Sequence, residues 1–181
     1  MRNQLDHLRT SVRILCVLMA LAGPCTLPVQ AEVVSLDQGG ITFKVPDDVS
    51  PLSPEEIRQG NSQDLQFVMA NPERSLVVAY DLKPKNIPSQ FFNMAHKKMA
   101  EKFEENEENL KWLNRSIVDM EGQPWGYLEY EAKTRDIAYF TMTLFTRYKG
   151  QLFIIHLRSL GENPSTNKEA MAGIFNSITL R

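Results

Sequence analysis

Cysteine is almost missing from this chain: its 181 residues hold two, Cys16 and Cys25, and both lie near the start. The stretch after Ala31 therefore has no disulfide, thiol nucleophile or Cys-based metal site. Its stability must come from packing, which suits an oxidising compartment where stray thiols would react. Histidine is also scarce. Beyond residue 31 only His96 and His156 occur, in neither His-Glu-x-x-His nor His-x-x-x-His spacing, so a zinc site, which needs several convergent ligands, is not expected, nor is any other cofactor. Positive charge is not in surplus: 20 Lys and Arg face 22 Asp and Glu, a net charge of -2. That balance excludes whole-surface binding to a nucleic acid through its phosphates. There is no Gly-x-Ser-x-Gly elbow to expose a nucleophile. Gly39-Gly40 precedes a strand pattern rather than a helix start, so it is no phosphate loop.

Long apolar runs are absent too. The run Ile14 to Ala22 has nine residues, against about 20 for a membrane-spanning helix. It follows the basic residues Arg2, Arg9 and Arg13 and leads to Gly23-Pro24 and then Val29-Gln30-Ala31. Basic flank, short apolar stretch and small residues before the cut describe a secretory signal over 1–31, cleaved after Ala31. Leu21-Ala22-Gly23-Pro24-Cys25 resembles a lipobox with one residue inserted, but Pro24 stands where a small residue normally precedes the acylated cysteine. The plain cleaved signal is the preferred reading, with a lipoprotein through Cys25 as the alternative. The expected product is a periplasmic or secreted chain with no transmembrane span after signal removal.

Taking away three Arg and one Asp leaves 17 basic and 21 acidic side chains, or -4, over residues 32–181. At 43% hydrophobic and 23% charged residues, the composition is that of an ordinary globular protein, and the length suits one domain. Ile41-Thr42-Phe43-Lys44-Val45 alternates with period two and stops at Pro46, as a half-buried strand does. Ser53 and Pro54 open a short helical turn. Strands over 65–70 and 76–82 flank the turn Asn71-Pro72-Glu73-Arg74. From Ser89 to about Asn109 the period becomes helical, with Phe92, Ala95, Met99 and Phe103 on one face and Lys97, Lys98, Glu101, Glu104, Glu105 and Glu108 on the other. Four strands follow, over 113–120, 124–133, 138–148 and 152–159, with short turns between them, as in an antiparallel meander. A last helix opens at Ser165 or Thr166, with Ala170, Ile174 and Phe175 on its apolar side. The expected class is α+β, an antiparallel sheet flanked by helices. Phe140, Met142 and Leu144 should face the core. Phe145, Tyr127 and Trp125 are expected on the outer face, under a second helical layer or as a binding surface.

In order, these elements resemble the PsbP-like superfamily, which includes the extrinsic PsbP subunit of photosystem II, the Ran-binding nuclear import factor and bacterial envelope proteins of the DcrB type. The residues that carry the resemblance are Ile41 to Pro46, the Asp119-Met120-Glu121-Gly122-Gln123 turn into the Trp125 to Ala132 strand, the Lys149-Gly150-Gln151 hairpin and the closing Phe175-Asn176-Ser177-Ile178. The resemblance covers roughly 41–181. It implies an α/β/α sandwich and a non-catalytic accessory, assembly or protein-binding role; the bacterial type of export signal speaks against a photosystem role.

Catalytic alternatives are thin. Ser159, His156 and Asp136 could in principle form a triad, and Glu129 with Glu131 a carboxylate pair, but alternating glutamates on a strand are usually a solvated face. The acidic run Glu101 to Glu108 reads as the wet side of its helix, with Lys97–Glu101 as a supporting pair. Aromatic residues are enriched at binding hot spots, so Trp125, Tyr127 and Phe145 are the candidate binding residues. The sequence thus leads to a non-enzymatic protein-binding or assembly factor of the bacterial envelope with a protein partner. A small-ligand carrier with an aromatic-lined pocket is the alternative, and a small hydrolase using Glu129 or His156 a weaker one.

Overall fold

The computed structural model describes residues 31–59, 67–134, 137–161 and 164–181. Cys16, Cys25 and the proposed signal up to Gln30, the start of the strand expected at Leu65, and Arg135-Asp136 lie outside the described residues.

Among the described residues ten strands form two antiparallel sheets. The first three-stranded sheet joins β1 (Ala31–Leu36), β2 (Ile41–Pro46) and the terminal β10 (Thr179–Leu180) in the order β1-β2-β10. The second contains β3 (Ser50–Pro51), β4 (Phe67–Ala70), β5 (Leu76–Lys83), β6 (Lys111–Met120), β7 (Gln123–Thr134), β8 (Ile137–Tyr148) and β9 (Gln151–Leu160). Its order is β3-β4-β5-β9-β8-β7-β6. The meander β6 to β9 is as expected, and β5 joins it through β9, with Ala79 opposite His156. Three α-helices accompany the sheets among the described residues: α1 (Pro54–Gln59), α2 (Phe92–Asn106) and α3 (Lys168–Asn176).

Local chemistry sets the connections. Ser53 and Glu56 form a reciprocal capping box at α1: the Ser53 N–H donates to Glu56 Oε2 at 2.9 Å, and the Glu56 N–H donates to Ser53 Oγ at 3.3 Å, which satisfies helix-end donors. In the β4–β5 turn Asn71 Oδ1 accepts the Leu76 N–H at 3.0 Å. Lys149 and Gly150, both at positive φ (46° and 75°), make the two-residue β8–β9 hairpin, a conformation whose twist matches paired strands. A short 3-10 turn over Ser89–Phe91 precedes α2, so the helix expected from Ser89 begins as a tighter coil.

Period-two alternation divides the large sheet into two faces. On one, Trp125, Phe140, Met142, Leu144, Phe153, Ile155 and Leu157 pack with Ile41, Phe43 and Val45 of β2 and with Met171 and Ile174 of α3. Ile41 and Phe43 are fully buried there. This face is thus closed by a helix and the small sheet together, where helices alone were expected. Met171, also fully buried, is the deepest contact of α3, ahead of the expected Ala170 and Phe175. On the other face α2 lays Phe92, Ala95, Met99, Ala100 and Phe103 over Leu128, Phe145, Leu152 and Ile154. The architecture is the expected α+β sandwich, with one mixed outer layer.

Candidate functional site

The expected aromatic set does not share a face. Register decides this: Phe145 pairs with Gly126, and Tyr127 with Leu144, and directly opposite residues project to the same side of a sheet. Trp125 and Tyr127 therefore turn toward α3. Trp125 is 1% exposed and meets Phe153 edge-on at 6.1 Å; Tyr127 stacks on Phe175 at 5.9 Å and donates to Glu129 Oε2 at 2.7 Å. Phe145 turns toward α2 and contacts the Phe92 ring at 5.6 Å. It also fills the space beside Gly126, where a Cβ would fall 2.2 Å from its ring. All three pack beneath covering layers, and the outer-face reading of Trp125 and Tyr127 is corrected by this register.

The catalytic candidates separate as well. Ser159 is fully buried and its Oγ accepts from Asn167 Nδ2 at 3.0 Å. It stands three positions from His156 along β9, an odd step, so the two side chains lie on opposite faces. Asp136 falls outside the described residues. Glu129 is held by Tyr127, and Glu131 pairs with Lys111 at 3.6 Å. His96, on α2, comes within 3.5 Å of the Tyr127 carbonyl and stacks with Phe145. Among the described residues no three His, Cys, Asp or Glu side chains converge as a metal site.

Part of the acidic run is engaged with the sheet, Glu104 at the surface and Glu107 largely buried. Glu104 accepts from Trp112 Nε1 at 2.7 Å and pairs with Arg115 at 2.8 Å. Glu107, just past the end of α2, accepts from Arg158 at 2.9 Å, from the Tyr130 hydroxyl at 3.2 Å and from the Tyr139 hydroxyl. Arg158 also donates to Thr141 Oγ1 at 3.1 Å and lies 4.5 Å over the Tyr139 ring. Burial raises the Tyr130 hydroxyl to about 12, so it stays protonated and donates to Glu107. This charged knot fastens the C-terminal end of α2 to the sheet. Lys97–Glu101, at 3.7 Å, is the expected surface pair.

A concave feature lies beside α2. The helix covers Leu128, Phe145 and Ile154, and past its edge, over β4 and β5, lies a cleft of about 1400 Å³ whose floor side chains Val68, Ala70 and Ala79 are buried. Its floor is Val68 and Ala70 of β4, Val77 and Ala79 of β5, and Ile154, His156 and Arg158 of β9. One wall is the edge of α2, where Phe91, Met94, Lys98, Lys102 and Asn106 recur at three- and four-residue steps. The opposite side is Leu52, Glu56 and Ile57 at α1, and the 83–88 loop closes an end. Phe91 and Met94 are 45% and 50% exposed, unusually open for such large apolar side chains.

Charge is concentrated there. Among the described residues the basic side chains Arg74, Lys83, Lys85, Lys98, Lys102 and Arg158 line the cleft together with Glu56 and Glu107, and Lys83 pairs with the buried Asp81 at 3.6 Å. Both carboxylates are engaged, Glu56 with Arg74 at 3.0 Å and Glu107 with Arg158. His156 sits in the floor with Nδ1 2.7 Å from Thr143 Oγ1. Burial first, then Arg158, Lys83 and Lys102, push its imidazole down to about 3, so it is neutral at ordinary pH. The sequence reading missed this site. The available signals were Lys98 and Lys102 one turn apart beside Met94, and a β5 strand whose apolar pattern continues on both faces.

No protein-family model matches the chain, and no curated protein sequence does either. Solved structures do match. Cyanobacterial PsbP (CyanoP) from Synechocystis superposes with a TM-score of 0.61 at 17% identity, over 88% of this chain and 99% of that one.

The chain has the PsbP-like fold.

The Ran-binding protein Mog1p of Saccharomyces cerevisiae shares this PsbP-like fold with a TM-score of 0.56 at 13% identity, over 84% of this chain and 96% of its own. LpqN of Mycobacterium tuberculosis, described as involved in cell envelope biogenesis, matches at 0.51 and 16% identity, over 83% and 90%. The PsbP-like resemblance read from Ile41–Pro46 and the two glycine turns is thus borne out at the level of fold.

Proposed function

We propose that this protein is an exported, non-enzymatic accessory or binding factor of the bacterial envelope that takes its partner in the cleft between α2 and the β4-β5-β9 face. The observation that carries this reading is the cleft itself: an apolar floor with basic side chains along its walls, bordered by exposed Phe91 and Met94. Clefts with several charges of one sign and low-dielectric walls focus the electrostatic field on what enters them. The signal-like segment over 1–31 supports export. The fold shared with a Ran-binding protein and with an envelope-biogenesis protein supports binding as the mode of action. The separation of Ser159 from His156, and the engagement of Glu129 by Tyr127 and of Glu131 by Lys111, support a non-catalytic role.

Photocrosslinking tests it. A benzophenone amino acid placed at Met94 or Phe91, in the envelope of the native cell, is expected to capture a discrete adduct. The same group at Val33, Leu113 or Ile137, exposed apolar positions outside the cleft, is expected not to. Equal labelling at both sets of positions would sink the assignment of the cleft.

A further inference from the structure

The two ends of the large sheet are finished differently. At one end β3 is two residues long and carries Pro51, which has no N–H to offer. At the other, β6 runs for ten residues, and among the described residues no strand pairs with its outer edge. A long bare edge is a template for another strand. We infer that β6 is a self-association edge: a second copy of this chain pairs with it antiparallel, about a two-fold axis at Ile117, and runs one sheet through both molecules. This goes beyond the cleft reading and does not depend on it.

Turn geometry decides which backbone groups face outward. Glu121 and Gly122, both at positive φ (54° and 79°), make the two-residue turn between β6 and β7, and Met120 pairs with Gln123 across it. The pair that closes such a turn exchanges hydrogen bonds, and along an antiparallel ladder bonded and non-bonded pairs alternate. Met120, Val118, Ser116 and Asn114 therefore turn their N–H and C=O groups toward β7. Arg115, Ile117 and Asp119 turn theirs to the bare edge. A bulge between Trp112 and Asn114 ends this regular stretch, so Leu113 lies past the end of the ladder.

Register then selects the occupant. Centred on Ile117, two copies set Arg115 opposite Asp119 at both ends and Ile117 opposite itself, and every outward N–H and C=O of these three residues has a partner. Directly opposite residues share a face, so unlike charges meet twice and two Ile117 side chains, each 38% exposed in a single copy, cover one another. A centre at Arg115 or Asp119 opposes like charges instead, and a centre at Ser116 or Val118 sets Ile117 against a charged residue. Arg115 is already aimed: its Nη1 pairs with Glu104 at 2.8 Å, and its guanidinium lies 5.2 Å from the Trp112 ring centre. A guanidinium carries donors enough for Glu104 and a second carboxylate together. Asp119 is exposed, with Oδ1 accepting the Gly122 N–H at 2.8 Å. These charges fix register more than strength; the ladder and Ile117 supply the affinity. The axis stands perpendicular to the sheet, so both α2 helices lie on one side, with the two clefts at the far ends of the shared sheet.

Sedimentation equilibrium of the purified protein tests the proposal. A reversible dimer is expected, with a Kd of about 1–100 µM, as suits a small contact. Ile117→Lys opposes two ammonium groups at the axis and should weaken association at least about tenfold, with circular dichroism confirming the fold. Arg115→Asp and Asp119→Arg each oppose like charges at both ends, and each alone should weaken it about tenfold. Mixed in equal amounts, these two variants should associate again as the unchanged protein does, because every introduced charge then meets its opposite. The amide protons of Arg115, Ile117 and Asp119 should gain protection from exchange as concentration rises. A monomer up to about 1 mM, a dimer that ignores Ile117→Lys, or a mixture no tighter than either variant alone would overturn the proposal. In the native envelope, a benzophenone amino acid at Ser116 is expected to give an adduct of twice the chain mass; capture of a different protein in its place would also overturn it. None of these results bears on the cleft, which stands or falls on capture at Phe91 and Met94.

Discussion

The two faces of the large sheet are built from the same strands and end differently. On one, Trp125, Phe140, Phe153 and Ile155 meet α3 and the small sheet, and nearly every large side chain is sealed. On the other, a single fifteen-residue helix covers Leu128, Phe145 and Ile154 and leaves β4 and β5 under a basic cleft. The closed face pairs bulky aromatic side chains with two covering elements. The half-open face carries Ala70, Ala79, Thr141, Thr143, His156 and Arg158, residues too small or too polar to bind a second helix strongly. Cohesion is thus concentrated on one side and recognition on the other, and each can be changed with little effect on the other.

The sharpest way to break this contrast is to remove a large side chain from the closed face. Trp125→Ala or Phe153→Ala should cost about 3–5 kcal/mol in urea unfolding, because the surrounding layers cannot collapse into the space left. A loss under about 1 kcal/mol would show that the closed face is not the stability centre. Next comes the charged knot beneath the C-terminal end of α2. Glu107→Gln should cost about 2 kcal/mol, since the Arg158 guanidinium and two tyrosine hydroxyls lose a charged acceptor; a double-mutant cycle with Arg158→Met should show strong coupling. Gly126→Ala forces the Phe145 ring aside and should cost about 1–3 kcal/mol with a shift in the Phe92 and Phe145 ring resonances.

A pH experiment sharpens the comparison without removing packing. In the folded chain His156 is depressed to about 3 from its usual 6.5, so the unfolded chain takes up a proton that the native one refuses. The stability tied to this group is complete above about pH 6.5 and declines as pH falls toward about 3. Denaturant midpoints measured between those limits should fall with pH, and His156→Gln should flatten the slope. An unchanged slope would remove His156 as its source. The smallest effect is expected at the cleft border: Met94→Ser should alter stability by no more than about 0.5 kcal/mol, while reducing capture of the cleft's occupant. A large stability loss at Met94 would mean that this border is structural.

Much of this was legible from the chain. Period-two alternation located the strands, the helical period of Phe92, Ala95, Met99 and Phe103 oriented α2, and the turn residues at 121–122 and 149–150 placed the hairpins, because these are short-range backbone and burial preferences. The strand β1 was missed: its edge position leaves Val33 56% exposed and mutes the alternation. The candidate site was less legible. Alternation says which residues of one strand share a face, but only pairing register relates one strand to the next, and the Gly126–Phe145 pairing separated Phe145 from Trp125 and Tyr127. Nor does a local pattern reveal where a covering layer stops.

The sequence by itself determined the α+β class, the strand and helix order and the amphipathic face of α2, since each follows from interactions between residues near in the chain. Only the tertiary structure decided that Lys83, Lys102, Arg158 and His156, from three separate elements, line one cleft. Their convergence depends on sheet order and on the reach of one helix, and those are settled when the layers pack.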